Sequence, residues 1–390
     1  MKFDTIIAIA SGQTDPLILP FLSPDIDCKH LLLMVSEQIK QKGTVNNIID
    51  TLKPKGITVT CVELPSQKWD TVQQTLSNEL KNHPGKVLAF NANGGTKPMT
   101  LAAYESCYNA NIPVFYVDGN CFDWLYKAGE QELTEITITE SLSIDNFLLS
   151  HGYKIINKDT PLNTAKLKET VDSWVVQDYR PQISQLNKIA RRGDQHKLRI
   201  KLEDNEKDQS NGVYDLLEGL EANSLLKIEA DHIQFVSEEA RFFANGGWYE
   251  LHLLKLLQTI NANHFDGKGK VLAGITLRPN NSLKAQNEKI KNEIDVAYIL
   301  NNRLYLFECK TANISARTGR ADEAIYKLGT LLKNIGGLNA KGFIVSYHQI
   351  KDIDKDRAEL LDINIIEHQT NQANMIKTLV DGIRAVSSRL

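Results

Sequence analysis

The sequence has no apolar run near the roughly 18–20 residues that cross a bilayer, no C-x-x-C pair and no excess of basic charge. The first absence argues against a helical membrane span. The five cysteines, Cys28, Cys61, Cys107, Cys121 and Cys309, are scattered and odd in number. That pattern speaks against a disulfide framework or a cysteine zinc site and for free thiols in a reducing cytoplasm. Lys and Arg number 45 against 48 Asp and Glu, a formal charge of -3. Proteins that coat nucleic acid through bulk charge are basic, so any phosphate binding here must come from local patches or a metal. The opening residues, MKFDTIIAIASGQTDP, do not read as a signal peptide: Asp4 precedes a short apolar stretch that Ser11-Gly12-Gln13 ends.

What is present is an ordinary soluble composition, 42% hydrophobic and 24% charged over 390 residues. At roughly 150 residues per domain, two or three domains are expected. Apolar strand-like runs recur at Ile6–Ala10, Leu31–Val35, Ile57–Val62, Val87–Phe90 and Val114–Val117. Helically spaced stretches at Val45–Leu52, Trp69–Leu80 and Met99–Tyr108 lie between them. This alternation predicts a doubly wound, Rossmann-like α/β domain with a parallel sheet. Phe122 to Ile138 then reads as an appended hairpin with Gly129 near its turn.

Ligands of such a sheet bind beyond the carboxyl ends of its strands. Ser11-Gly12-Gln13-Thr14 follows the first strand, and Asn91-Ala92-Asn93-Gly94-Gly95-Thr96-Lys97-Pro98-Met99 follows the fourth. Glycines permit close backbone approach, Thr96 can cap a helix, and that helix start with Lys97 suits an anion. From the residues alone, a plain strand-to-helix turn explains Gly94-Gly95 equally well. The second segment resembles the N-x-x-G-G-T-K-x-M signature of CARF domains, the CRISPR-associated Rossmann-like sensors of cyclic oligoadenylate. The resemblance implies a groove across a two-fold homodimer, with Gly94, Gly95, Thr96, Lys97, Ser11, Gly12, Gln13 and Thr14 as ligand candidates.

The middle of the chain turns polar. Val213–Leu220 reads as a helix, followed by short strands at Leu225–Ile228 and Ile233–Val236 around Glu229-Ala230-Asp231, a winged-helix-like pattern. A DNA-reading winged helix has a basic recognition helix, whereas Asp215, Glu218 and Glu221 make this region acidic. A spacer or dimer element is the better reading of residues 141–240.

The last 150 residues or so carry the chemistry. Glu293–Leu300 and Arg303–Lys310 are two strand-forming runs flanking Asn301-Asn302, which predicts a β-hairpin. Glu308 and Lys310 then share a face, and Asp295 lies at their level on the partner strand. Two carboxylates in an apolar ribbon are costly unless paired, and a hard divalent cation such as Mg²⁺ or Mn²⁺ would resolve that cost. The arrangement D-x(12)-E-x-K resembles the core of the PD-(D/E)xK, restriction-endonuclease-like nucleases, carried by Asp295, Glu308 and Lys310. Ile294 stands where that family has proline. The resemblance adds Glu250, on a helix opening at Gly246-Gly247-Trp248, as a third acidic ligand. Cys309 is given no side-chain role, and His252 reads as a packed residue. Arg278 to Lys291, with Arg278, Lys284, Lys289 and Lys291 against Glu288, reads as a basic loop. Arg317 and Arg320 are further phosphate candidates. Lys327 reads as a solvent-facing lysine that could support the site.

The expectation is therefore three parts: a CARF-like sensor at 1–140, a small α/β connector at 141–240 and a PD-(D/E)xK-like nuclease at 241–390. Together the two end modules resemble ancillary nucleases of type III CRISPR systems. That resemblance implies a cytoplasmic homodimer switched on by cyclic tetra-adenylate to cleave DNA, RNA or both with Mg²⁺ or Mn²⁺. The rivals are a ligand-responsive nucleic-acid-binding regulator whose nuclease-like fold is inert, and a stand-alone restriction enzyme needing no activator.

Overall fold

A computed structural model of the chain describes residues 1–128, 136–138, 142–158, 165–195, 198–280, 292–316 and 320–387. Five apolar runs form the parallel strands β1 (Thr5–Ile9), β2 (His30–Ser36), β3 (Thr58–Leu64), β4 (Leu88–Asn91) and β5 (Val114–Asp118). Two antiparallel strands, β6 (Cys121–Tyr126) and β7 (Ile136–Thr137), extend the sheet to the order β3-β2-β1-β4-β5-β6-β7. The appended hairpin is thus a strand pair; Gly129, assigned to its turn, lies outside the described residues. Because β1 is covered on both faces, every residue of TIIAI is buried, which is why it carries no polar alternation.

One face of this sheet, with Ile7, Ile9, Met34 and Phe90, packs on helices α2 (Trp69–Lys81) and α3 (Lys97–Asn109). The opposite face packs on α1 (Thr44–Leu52) and α4 (Ile144–Ser150), and its apolar cluster runs on without a break into the C-terminal part of the chain.

That part is built on a six-stranded mixed sheet, β16-β15-β14-β13-β12-β8. Its strands are β8 (Tyr153–Lys158), β12 (Lys270–Pro279), β13 (Asn292–Leu300), β14 (Arg303–Lys310), β15 (Ala340–Ser346) and β16 (Ile363–Glu367). Side chains alternate between two cores. Leu304, Leu306 and Ile344 face α9 (Arg320–Ile335) and the N-terminal sheet. Tyr305, Phe307, Phe343 and Val345 face the other way, toward α8 (Trp248–His264) and α10 (Gln372–Ser387).

Residues 153–158, expected in the connector, are instead the edge strand of this C-terminal sheet, paired antiparallel with β12. Only half-buried residues of YKIINK, such as Ile155, point inward, so the segment has little apolar signature. The remaining middle residues form α5 (Ala165–Val176), α6 (Arg180–Gln195), α7 (Val213–Ala222) and a small antiparallel sheet ordered β10-β11-β9 (Leu226–Glu229, His232–Phe235 and Arg199–Lys201). They do not stand between the two ends of the chain. Leu186, Leu216 and Phe235 join the same core as Trp248, Phe307 and Phe343, so this layer covers the far face of the C-terminal sheet.

The two larger sheets also meet through polar contacts at the β13–β14 turn. Asn301 and Asn302 adopt φ of 49 and 59°, the left-handed pair that a two-residue hairpin turn requires and Asn tolerates. Asn302 is fully buried. Its amide donates to Asn120 Oδ1 at 2.7 Å, and its Oδ1 accepts from the Leu142 N–H at 2.7 Å. Beside it, Arg303 lies 3.6 Å from Asp118. Asn302→Ala removes both bonds and the left-handed preference, and should cost about 2–3 kcal/mol of stability, read as a lowered urea midpoint. An unchanged midpoint would show that the turn does not hold the sheets together.

Candidate functional site

Register decides what the hairpin can do. Val296 pairs with Phe307, so one step farther from the turn Asp295 stands across from Glu308. Asp295 Oδ2 accepts the Cys309 backbone N–H at 2.7 Å, which pins the carboxylate at the ribbon's open end. Lys310 Nζ donates to Glu308 Oε1 at 2.5 Å, and Lys327 from α9 lies 3.9 Å from the same oxygen. The Lys327 side chain is nonetheless half exposed. Glu308 itself is 7% exposed.

The third acid arrives from α8. Gly246 takes φ of 132°, and a Cβ there would lie 2.9 Å from Thr311 Oγ1. The missing side chain lets the helix start press against the residue that follows Lys310. Glu250, in the first turn of α8, then feels both strand acids. Burial, followed by the charges of Asp295 and Glu308, raises its pKa well above the carboxylate range. Burial and then Glu308 push Asp295 upward as well. For Lys310, burial alone would lower the pKa, but Glu308 and Asp295 outweigh it and the net shift is upward. The lysine is a fixed cation among acids that resist ionising together.

The donor set suits a hard divalent cation: three carboxylates and no imidazole or thiolate. Burial, then the neighbouring carboxylates, push the Cys309 thiol up, and its side chain packs against the apolar core that holds Phe307 and Val345. His252 is 4% exposed and pushed down to about 3 by burial, then by His368 and Lys255; it packs on Tyr249 and His368, as a core residue would. Among the described residues no three His, Cys, Asp or Glu side chains are gathered closely enough to hold a metal ion by themselves. Mg²⁺ does not need three, since it is commonly held by one or two carboxylates plus substrate phosphates.

A second locus lies at the carboxyl ends of β1 and β4, the point where the strand order reverses. Ser11, Gly12, Gln13, Asn93 and Gly95 line one side of a cavity of about 400 Å³ there. Asn93 is held in place by β5: its amide donates to the Val117 carbonyl at 2.7 Å and its Oδ1 accepts the Val117 N–H at 2.8 Å.

Residues 5–147 match the family of the Card1 CARF domain, and residues 237–386 match the Card1-like endonuclease domain. The chain joins a CARF domain to a Card1-like endonuclease domain. No curated protein matches it in sequence. The fold is similar to that of protein VC1899 from Vibrio cholerae, with a TM-score of 0.85 and 24% identity over 98% of each chain. It is also similar to Can2 from Sulfobacillus thermosulfidooxidans, solved in complex with cyclic tetra-adenylate, with a TM-score of 0.75 and 22% identity over 97% of this chain and 99% of that one. A type III CRISPR defence DNA nuclease activated by cyclic oligoadenylate gives a TM-score of 0.52 and 17% identity, over 89% of this chain and 46% of that one.

Within the CARF domain the eight ligand candidates divide. Ser11, Gly12, Gln13 and Gly95 line the cavity. Thr14 is buried and donates to Ser150 Oγ at 3.0 Å. A Cβ on Gly94 would fall 1.6 Å from the Ile9 carbonyl oxygen, so that glycine is required by close packing on β1. Thr96 and Lys97 are exposed at the start of α3, off the lining. Asn93, inside the same motif but outside the eight candidates, lines the cavity as well. In the endonuclease domain Asp295, Glu308 and Lys310 lie together at the open end of the hairpin, and Glu250 lies near enough to feel the charges of both strand acids. Arg278 sits in β12, while Lys284, Glu288, Lys289, Lys291 and Arg317 fall outside the described residues, and Arg320 opens α9.

The raised pKa values of Glu250 and Asp295 fix a sign. An acid whose folded pKa is raised contributes fully below the ordinary carboxylate range near pH 4 and progressively loses that contribution as pH rises. With chelator present, Glu250→Gln should therefore be more stabilising at pH 8 than at pH 5. Mg²⁺ or Mn²⁺ should raise Tm by a few degrees, roughly 1 kcal/mol, and more at pH 8. Equal effects at both pH values would mean that these acids do not repel one another.

Proposed function

We propose that the protein is a divalent-metal-dependent nuclease of type III CRISPR defence, active as a homodimer, and that cyclic tetra-adenylate bound at the CARF cavity switches it on. The observation that carries the catalytic half is Asp295 facing Glu308 across β13–β14 with Lys310 at 2.5 Å. Asp295, Glu308 and Glu250 would hold Mg²⁺ or Mn²⁺, which when bound supplies Lewis-acid stabilisation of a phosphodiester and an activated water. Lys310, charged and hydrogen-bonded to Glu308, is placed to orient the attacking water or to neutralise charge on the phosphorane-like transition state. DNA and RNA both present that phosphodiester, and both remain substrates of this reading.

The activating half rests on the position of the cavity at the switch point of a CARF sheet, together with the cyclic tetra-adenylate bound by the similarly folded Can2. A symmetric ring is matched to a two-fold assembly, because both protomers can then contribute identical loops. A cavity of about 400 Å³ per chain suits a portion of such a ring, being at the small end of ligand pockets. The acidic α7, with Asp215, Glu218 and Glu221, stands where the DNA-binding-regulator alternative would place its recognition helix and counts against it.

Plasmid, single-stranded DNA and RNA incubated with Mn²⁺, with and without cyclic tetra-adenylate, test the reading. Glu308→Ala should lower cleavage by at least about 10³-fold while activator affinity stays at the wild-type value. Cleavage by Glu308→Ala at the wild-type rate would remove the site assignment, and cleavage indifferent to the activator would favour the stand-alone enzyme.

A further inference from the structure

The cavity beside the CARF loops has a second wall, and it does not come from the CARF motif. His151 closes one side, from the residue that follows α4, while Lys333, Asn334 and Gly337 close the other, from the end of α9 and the turn after it. The Card1 CARF match ends at residue 147, and α9 belongs to the endonuclease domain.

The polar atoms on this boundary are incompletely satisfied. The His151 side chain is 5% exposed. Its Nδ1 lies 2.9 Å from the Phe147 carbonyl, which can only accept, so the ring donates there. Its Nε2 is buried without a hydrogen-bond partner, 3.5 Å from Asp15 Oδ1. Gln13 Oε1 is likewise buried and unpartnered. Native proteins rarely leave such atoms without a mate unless water or a ligand supplies one. An amide oxygen takes a donor, such as the exocyclic amine of adenine. Lys333, exposed on the rim, supplies the positive charge that a nucleotide's phosphate takes as a partner.

We propose that the activator site is composite: the CARF loops provide Gln13 and Asn93, while His151 and the endonuclease-domain residues Lys333 and Asn334 complete it, the base edge lying against Gln13 and His151 and a phosphate against Lys333. This rests on the activator reading above and extends it to residues beyond the CARF domain. It also gives the ligand a grip on the catalytic half of the chain. Lys333 shares α9 with Lys327, which approaches Glu308 Oε1 to 3.9 Å, roughly 9 Å farther along the helix axis.

The test is calorimetric binding of cyclic tetra-adenylate to the full chain. Wild type should bind; Lys333→Ala should weaken binding about tenfold or more and reduce its salt dependence; Lys333→Arg should restore most of the affinity. Cyclic tetra-inosinate, which lacks the exocyclic amine, should bind wild type more weakly than cyclic tetra-adenylate. Wild-type binding with unaltered affinity in Lys333→Ala overturns the composite wall while leaving the activator reading intact. Equal affinity for the two rings overturns the base-edge placement. No binding of cyclic tetra-adenylate by wild type overturns the activator reading itself and, with it, this one.

Discussion

The pairing register of β13 and β14 is the constraint on which the rest depends. Val296 opposite Phe307 and Leu300 opposite Arg303 leave Asp295 and Glu308 level on one face. A slip of one residue would send Asp295 to the opposite face. The ribbon is therefore fixed twice. At its open end the Cys309 N–H holds Asp295. At its closed end a left-handed Asn-Asn turn is clasped by Asn120 and by the Leu142 N–H. The second clamp belongs to the CARF side of the molecule, so the geometry of the Asp295–Glu308 pair is not a property of the endonuclease domain alone.

Electrostatics explain why such a ribbon is worth fixing. Burial, then the charges of Asp295 and Glu308, raises the cost of ionising Glu250, and burial, then Glu308, does the same for Asp295, while Lys310 offsets part of both costs from within the fold. Apolar strands on either side supply the low polarity that makes each charge matter more. Removing one carboxylate relieves repulsion and should not endanger the fold, whereas removing the lysine leaves acids buried without a counter-charge. Stability and chemistry consequently pull in opposite directions at this position, as is common where charged groups are gathered for a reaction.

How much of this could be read from the sequence follows from how local each signal is. The central strands β1, β2 and β4 of the CARF sheet announce themselves as apolar runs because both of their faces are covered. The hairpin does so through β-branched and aromatic residues around Asn-Asn. Asp295, Glu308 and Lys310 are legible through a pattern whose spacing a ribbon dictates, whereas Glu250, on a helix far upstream, is legible only through the family resemblance. By contrast, β8 escaped because YKIINK is an edge strand with alternate residues exposed. The α6 helix has no such signal because its sequence, RPQISQLNKIARRGDQ, is mostly polar; its apolar side chains Ile183, Leu186, Ile189 and Ala190 reach the core, with the polar Asn187 buried among them. His151 and Lys333 had no local signal, since a cavity wall drawn from residues more than 180 positions apart exists only after the two halves have docked.

That docking bears on how a switch can work. A sensor tethered by a linker can alter only local concentration, whereas here the CARF and endonuclease sheets share one apolar cluster containing Ala8, Leu33, Leu304, Leu306 and Ile344. A packed core of this kind does not deform continuously. Ligand binding can shift it only between discrete arrangements, and only by the difference in affinity for them. Such a difference requires the ligand to touch groups whose relative position changes. From the cavity, Asn93 is bonded to Val117; next along the chain, Asp118 pairs with Arg303, and Asn120 pairs with Asn302 at the hairpin turn. These contacts form a physically connected set but not, by that fact, a demonstrated route. The mechanical requirement is narrower: an activator held by the CARF loops alone would bind every docking arrangement equally well, whereas one held also by α9 would not.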